Sequence, residues 1–186
     1  MTARPSTRPT TGRSSRRGAG AAAASRRAPY RVIVVCLGNI CRSPMAEMVF
    51  RHDLARAGLH DVVVDSAGTG GWHVGDPMDR RARAVLADHG YDHEHTAKQL
   101  TPQLLGERDL VVAMDSENVR TLRRLSSRVA APPPVRLLRE FEPDAEALDV
   151  PDPYYGGRED FVEVLGLLRA ASTGLVPYVQ QNLLTS

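Results

Sequence analysis

The segment Val34-Val35-Cys36-Leu37-Gly38-Asn39-Ile40-Cys41-Arg42-Ser43-Pro44 passes from an apolar stretch of strand length into the punctuation of a helix. Arg31 to Cys36 is rich in β-branched residues, and Ser43 with Pro44 reads as an N-cap followed by a first helical residue. A tight turn between the two points backbone N–H groups into one concavity, and the helix dipole adds positive potential there. Such a nest holds an anion, with phosphate the natural occupant. The same field favours thiolate over thiol at Cys36, and a thiolate is a strong nucleophile. Arg42, six residues on, returns on the far side of the turn, where its planar guanidinium can grip two phosphate oxygens together. Ser43 is placed to donate to the Cys36 sulfur. Gly38 is expected to supply a backbone conformation that other residues resist, and Asn39 to tolerate left-handed geometry while tying the turn to its surroundings.

Outward from this turn the chain alternates short β-branched runs with helical patterns, the signature of a parallel sheet covered on both faces. The further strands expected are Val62 to Ser66, Leu110 to Met114 and Val135 to Leu138. A helical stripe of Ala46, Phe50, Leu54 and Ala57 ends at Gly58. Asp76 and Pro77 are expected to open a second helix, with Ala82, Val85, Leu86 and His89 inward and Gly90 as its stop. Asp115 precedes a third, through Val119, Leu122 and Leu125. Phe161, Val164, Leu165 and Leu168 mark a fourth, which Thr173 to Leu184 extends past Pro177. The fold class expected is α/β: one doubly wound domain, a four-stranded parallel sheet with helices on both faces and a phosphate-binding loop after strand 1. Ligand belongs where strands end in loops, beside the point at which strand order reverses.

With 186 residues and 42% hydrophobic content, the chain can build one sizeable core. Residues 1–29 carry seven of its 24 basic residues and none of its 22 acidic ones, so residues 30–186 are net acidic. The pI of 8.7 therefore reflects the leader, not a basic face on the fold, and nucleic acid is not an expected partner. The leader, built from Arg, Ser, Thr, Pro, Gly and Ala, reads as disordered, and residues 30–186 as the functional domain. Cys36 and Cys41 are the only cysteines, too few for a disulfide scaffold or a four-sulfur zinc site; a reducing, cytoplasmic setting fits. No uninterrupted apolar run approaches a membrane span, so no membrane is expected as partner.

The nine residues Cys36 to Pro44 closely resemble the active-site loop of the low-molecular-weight protein tyrosine phosphatases. A second motif, Asp152-Pro153-Tyr154-Tyr155, sits where that family keeps its general acid, and the likeness spans Tyr30 to about Leu184. The resemblance implies hydrolysis of phosphotyrosine on a protein substrate, with Cys36 as nucleophile, Arg42 as phosphate clamp and Asp152 as proton donor. No cofactor or metal is implied. The phosphate would be bound by the loop of Leu37, Gly38, Asn39, Ile40 and Cys41 together with Ser43. Trp72, Tyr154 and Tyr155 would line a slot for the phenyl ring. Behind the loop, Ser66 would hydrogen-bond Asn39 and His95 would support Ser43. A donor such as Asp152 is required on chemical grounds too, since a departing phenolate is strongly basic, its conjugate acid having a pKa near ~10.

Cys41 lies five residues from Cys36 in the same turn, near enough for a reversible disulfide on oxidation. Arg80, Arg81 and Arg83, like Arg120, Arg123 and Arg124, read as solvated helix faces. The rival readings are an arsenate reductase of the same fold and a non-catalytic phosphotyrosine-binding module. The first, in its thioredoxin-coupled form, needs further cysteines, and none follows Cys41; the second has no use for a thiolate and an acid together.

Overall fold

Seven residues, Tyr30–Cys36, form the strand around which the sheet is organised. The computed structural model describes residues 28–185. The expectation of a disordered leader at 1–29 therefore falls, but for its last two residues, outside them. Strand β1 (Tyr30–Cys36) pairs in parallel with β2 (Val62–Gly68) on one side and β3 (Leu110–Ala113) on the other. Strand β4 (Val135–Leu137) continues beyond β3, giving the order β2-β1-β3-β4. The chain thus leaves β1 toward one edge and crosses back to the other, and the reversal falls between the carboxyl ends of β1 and β3.

Alternation along β1 divides the core. Val32, Val34 and Cys36 face one apolar cluster, Ile33 and Val35 the other. Helices α1 (Arg42–Arg56), α2 (Arg80–Asp88) and α5 (Arg158–Thr185) cover the first face, and α3 (Pro102–Gly106) and α4 (Ser116–Ser126) the second. Phe50 and Phe161, both fully buried in the first cluster, each contribute roughly 1.5–3 kcal/mol by burial.

Helix starts differ from the sequence reading in two places. α1 begins at Arg42 with Cys41 as N-cap, and Ser43 is already helical, its hydroxyl turned toward Cys36 instead of capping. Pro44 is tolerated because first-turn N–H groups have no intrahelical partner to lose. α2 begins at Arg80, capped by the Asp79 carboxylate, which accepts from Arg81 N–H at 2.8 Å. Asp76 pairs instead with His73 Nδ1 at 2.9 Å, while Pro77 bridges Thr96. His89 is the exposed C-cap of α2, not an inward residue. Short α3 was not anticipated, although Thr101 and Pro102 carry its cap signal.

Helix α5 runs unbroken through Pro177. Arg158–Leu184 is long and apolar enough, by length and composition alone, to cross a membrane, a property hidden from any search for uninterrupted apolar runs. Here its stripe of Phe161, Val164, Leu165, Leu168, Ala171, Leu175 and Val179 is buried in the main core.

Candidate active site

The turn after β1 is held by Asn39, which is fully buried and left-handed, with φ 57°. The left-handed geometry that Asn39 was expected to tolerate is there, whereas Gly38 does not have positive φ; at Gly38 the constraint is space, since a Cβ would lie 3.1 Å from the His73 ring. Asn39 is held at both ends. Its Nδ2 donates to Ser43 Oγ and Ser66 Oγ, both at 2.9 Å, and its Oδ1 accepts from Lys98 N–H at 2.9 Å. Its carbonyl lies 2.9 Å from His95 Nε2. Four bonds offset the strain of the left-handed residue.

Two groups converge on the sulfur of Cys36: the Asn39 backbone N–H at 3.3 Å and Ser43 Oγ at 3.0 Å. Because Ser43 Oγ already accepts from Asn39 Nδ2, its single hydrogen is free to point at the sulfur. Ser66 in turn donates to Glu47 Oε2 at 2.7 Å. Burial pushes the Glu47 carboxyl up, with the Ser66 bond and Arg51 opposing. His95, expected to support Ser43, bonds the Asn39 carbonyl instead, and its Nδ1 lies 3.7 Å from Glu47 Oε2. Burial pushes His95 down.

Arg42 is buried at the start of α1, where its guanidinium joins three segments. Nη1 donates to Asp115 Oδ2 at 2.7 Å and to the Val150 carbonyl at 3.0 Å, and Nη2 to Asp152 Oδ2 at 2.6 Å. Burial alone would weaken its hold on the proton, but Cys36, Asp152 and Asp115 together raise it, so the group stays charged. Its Nε is buried with no hydrogen-bond partner among the described residues.

Cys36, Cys41, Arg42 and Asp152 line one cavity of about 280 Å³, together with Leu37, Gly38 and Ile40. Trp72, Tyr154 and Tyr155 form its rim, as does His73, which sequence reasoning left without a role. Trp72 is 75% exposed and Tyr155 97% exposed, so neither is a core aromatic. Trp72 folds back over Gly70, where a Cβ would run into its ring. Asn39 and Ser43, expected with the phosphate-binding residues, do not line this cavity, and neither do Ser66 and His95. Cys36 and Cys41 are both buried free thiols, and burial pushes the Cys41 thiol up, with Asp79 and Cys36 adding to the effect.

Asp115 and Glu47 were not found as site residues. The sequence marks Asp115 only as a helix cap, which it is, accepting from Asn118 N–H at 2.7 Å. Its second role follows from β3 lying beside β1, which local sequence does not disclose. Glu47 stands one helical turn after Ser43 on a buried face, and a carboxylate there was the available signal.

The fold and this loop define a class: doubly wound α/β proteins with an anion-binding turn after the first strand. The sequence pattern of the family described as "Low molecular weight phosphotyrosine protein phosphatase" matches residues 31–184. A low molecular weight protein-tyrosine-phosphatase of Streptomyces coelicolor is 54% identical over 156 residues, covering 82% of this chain and 95% of that one. Low molecular weight protein-tyrosine phosphatase A of Mycobacterium tuberculosis is 48% identical over 158 residues, 83% of this chain and 94% of its own. Among solved structures, YfkJ from Bacillus subtilis superposes with a TM-score of 0.78 at 37% identity, covering 84% of this chain and 98% of that one. The chain belongs to the low-molecular-weight protein tyrosine phosphatase family of enzymes.

Proposed function

We propose that the protein hydrolyses phosphotyrosine on protein substrates through a phosphocysteine formed on Cys36. The reading is carried by one observation: the Cys36 sulfur, the Arg42 guanidinium and the Asp152 carboxyl open on one cavity, with the Ser43 hydroxyl 3.0 Å from the sulfur.

In the first step a phosphate dianion takes the place of Asp152 as partner of Arg42 Nη2, and the unpaired Nε–H supplies the other arm of a two-point grip. The thiolate attacks phosphorus, the bond to the aryl oxygen breaks, and Asp152 gives its proton to the departing phenolate. In the second step a water attacks the phosphocysteine, Asp152 takes the proton back, and the S–P bond breaks to return thiolate and inorganic phosphate. The Asn39 N–H and Ser43 O–H stabilise sulfur each time it carries charge. Trp72 and the two tyrosines favour a flat aryl stem, long enough to carry phosphate to the sulfur where a serine stem is not. Two free thiols in this machinery fit a reducing, cytoplasmic setting.

Turnover of a small aryl phosphate tests the mechanism. The intact protein is expected to be active, Cys36→Ser inactive, and Asp152→Ala slowed by about 10²–10⁴-fold on an ester with a basic leaving group. Hydrolysis by Cys36→Ser at the parent rate would overturn it.

A further inference from the structure

Arg81 was read from sequence as one of a solvated arginine face. In the structure only 28% of its side chain is exposed, and it spans the gap between the two loops that carry the chemistry. Its guanidinium grips the Asp79 carboxylate, Nε to Oδ1 at 3.0 Å and Nη2 to Oδ2 at 2.9 Å. It also donates from Nη1 to the Gly156 carbonyl at 2.8 Å and from Nη2 to the Tyr154 carbonyl at 2.9 Å. The same group lies over the buried Phe161 ring, 4.7 Å from its centroid, which fixes its plane from a third side.

Each end of this bridge is itself anchored in the site. Asp79 donates its backbone N–H to the Ile40 carbonyl at 2.8 Å, joining α2 to the loop that holds Cys36. At the other end, Tyr154 donates its N–H to Asp152 Oδ1 at 3.2 Å, while its carbonyl is the one Arg81 holds. Asp152 is thus tied through Oδ1 to the segment Arg81 holds, while its Oδ2 meets Arg42 at 2.6 Å, the contact that an incoming phosphate would take over. Gly156 N–H bonds the Pro153 carbonyl at 3.0 Å, so the Asp152 to Gly156 turn moves as one piece.

The geometry points to Arg81 as a positioning residue for proton transfer: it fixes the Asp152 loop relative to the Cys36 loop. The inference rests on the reading of Asp152 as general acid. A planar fork is needed, because one group must satisfy a carboxylate and two carbonyls together; lysine has the charge without the fork. Arg81 acts through Asp152, so its loss should matter only where a proton must be delivered.

The test compares Arg81→Met and Arg81→Lys with the parent on two esters, phenyl phosphate and 2,4-dinitrophenyl phosphate, the second leaving as a stable anion without a proton. Both variants are expected to lose about 10-fold or more in kcat/KM on phenyl phosphate and less than about 3-fold on the dinitrophenyl ester, within the span of general acid catalysis. In an Asp152→Ala background the Arg81 substitutions should add almost nothing. Equal losses on both esters, or an undiminished loss in the Asp152→Ala background, would overturn the assignment. Amide hydrogen exchange at residues 154–157, expected to speed up in Arg81→Met relative to the rest of the chain, reads the clasp without catalysis; unchanged protection there would also overturn it. If Asp152→Ala itself slowed both esters alike, the reading of Asp152 would fail, and the exchange measurement would still judge the clasp.

Discussion

Ser43 has one hydroxyl hydrogen, and its surroundings decide where it goes. Asn39 Nδ2 donates into the oxygen at 2.9 Å, which leaves the hydrogen for the Cys36 sulfur at 3.0 Å. A hydrogen bond to a charged group contributes about 1.5–3 kcal/mol, so Ser43→Ala is expected to lower kcat by roughly 10–100-fold. With turnover through the phosphocysteine proposed above, the deficit should fall on its breakdown, where sulfur is the leaving group, and appear as a larger pre-steady-state burst of phenol. An unchanged kcat would exclude this role. The sequence made Ser43 legible as a donor to sulfur because the two residues share one turn. It misplaced the contact of His95, since a histidine 56 residues from Asn39 reveals only that it is near, not which polar atom it meets.

At the scale of the element, the start of α2 is where sequence and structure part most clearly. Asp76-Pro77 and Asp79-Arg80 both offer a cap, and propensity alone prefers the first. Packing chooses the second: Met78 is buried, and Asp79 N–H must reach the Ile40 carbonyl. Burial would raise the Asp79 carboxyl, but the Arg81 side chain and the backbone N–H groups of Arg81 and Ala82 outweigh it and hold it below its ordinary 3.8. A carboxyl lowered by folding contributes stability above its unfolded value, and that contribution fades as pH falls through 3.8 toward the folded value. Asp79→Asn keeps a cap acceptor but loses the charge. It is expected to lower stability by about 1 kcal/mol at neutral pH, allowing for solvent around the pair. Denaturant midpoints should show the gap to the parent closing as pH drops below 3.8; a gap independent of pH would rule out the charged contact.

Across the whole molecule, strand order brings the distant parts of the site together. Met114 N–H bonds the Val35 carbonyl at 3.0 Å, so Asp115 emerges beside the Cys36 loop, and the Val150 N–H bonds the Met114 carbonyl at 2.8 Å to bring Asp152 there too. The first strand is closed by Tyr30 N–H on the Asp61 carbonyl at 2.9 Å. We therefore propose that residues 30–186 form the functional domain and that the leader takes no part in the site. A chain beginning at Ala28 is expected to keep kcat/KM within about 2-fold and its denaturant midpoint unchanged. A loss of 10-fold or more in kcat/KM would instead assign the leader a part in the site.

What the amino-acid order determined by itself is the loop from Cys36 to Ser43, its strand and its helix, because thiol, turn and cation lie within eight consecutive residues and their chemistry is local. Resemblance added Asp152. Only the tertiary structure decided what Arg42 grips, since its partners Asp115 and Asp152 stand 73 and 110 residues away, and such pairings depend on which strand lies beside which. The clasp of Arg81 on Tyr154 and Gly156 belongs with them. An arginine on an amphipathic helix looks the same in sequence whether its guanidinium meets water or the carbonyls of a neighbouring loop.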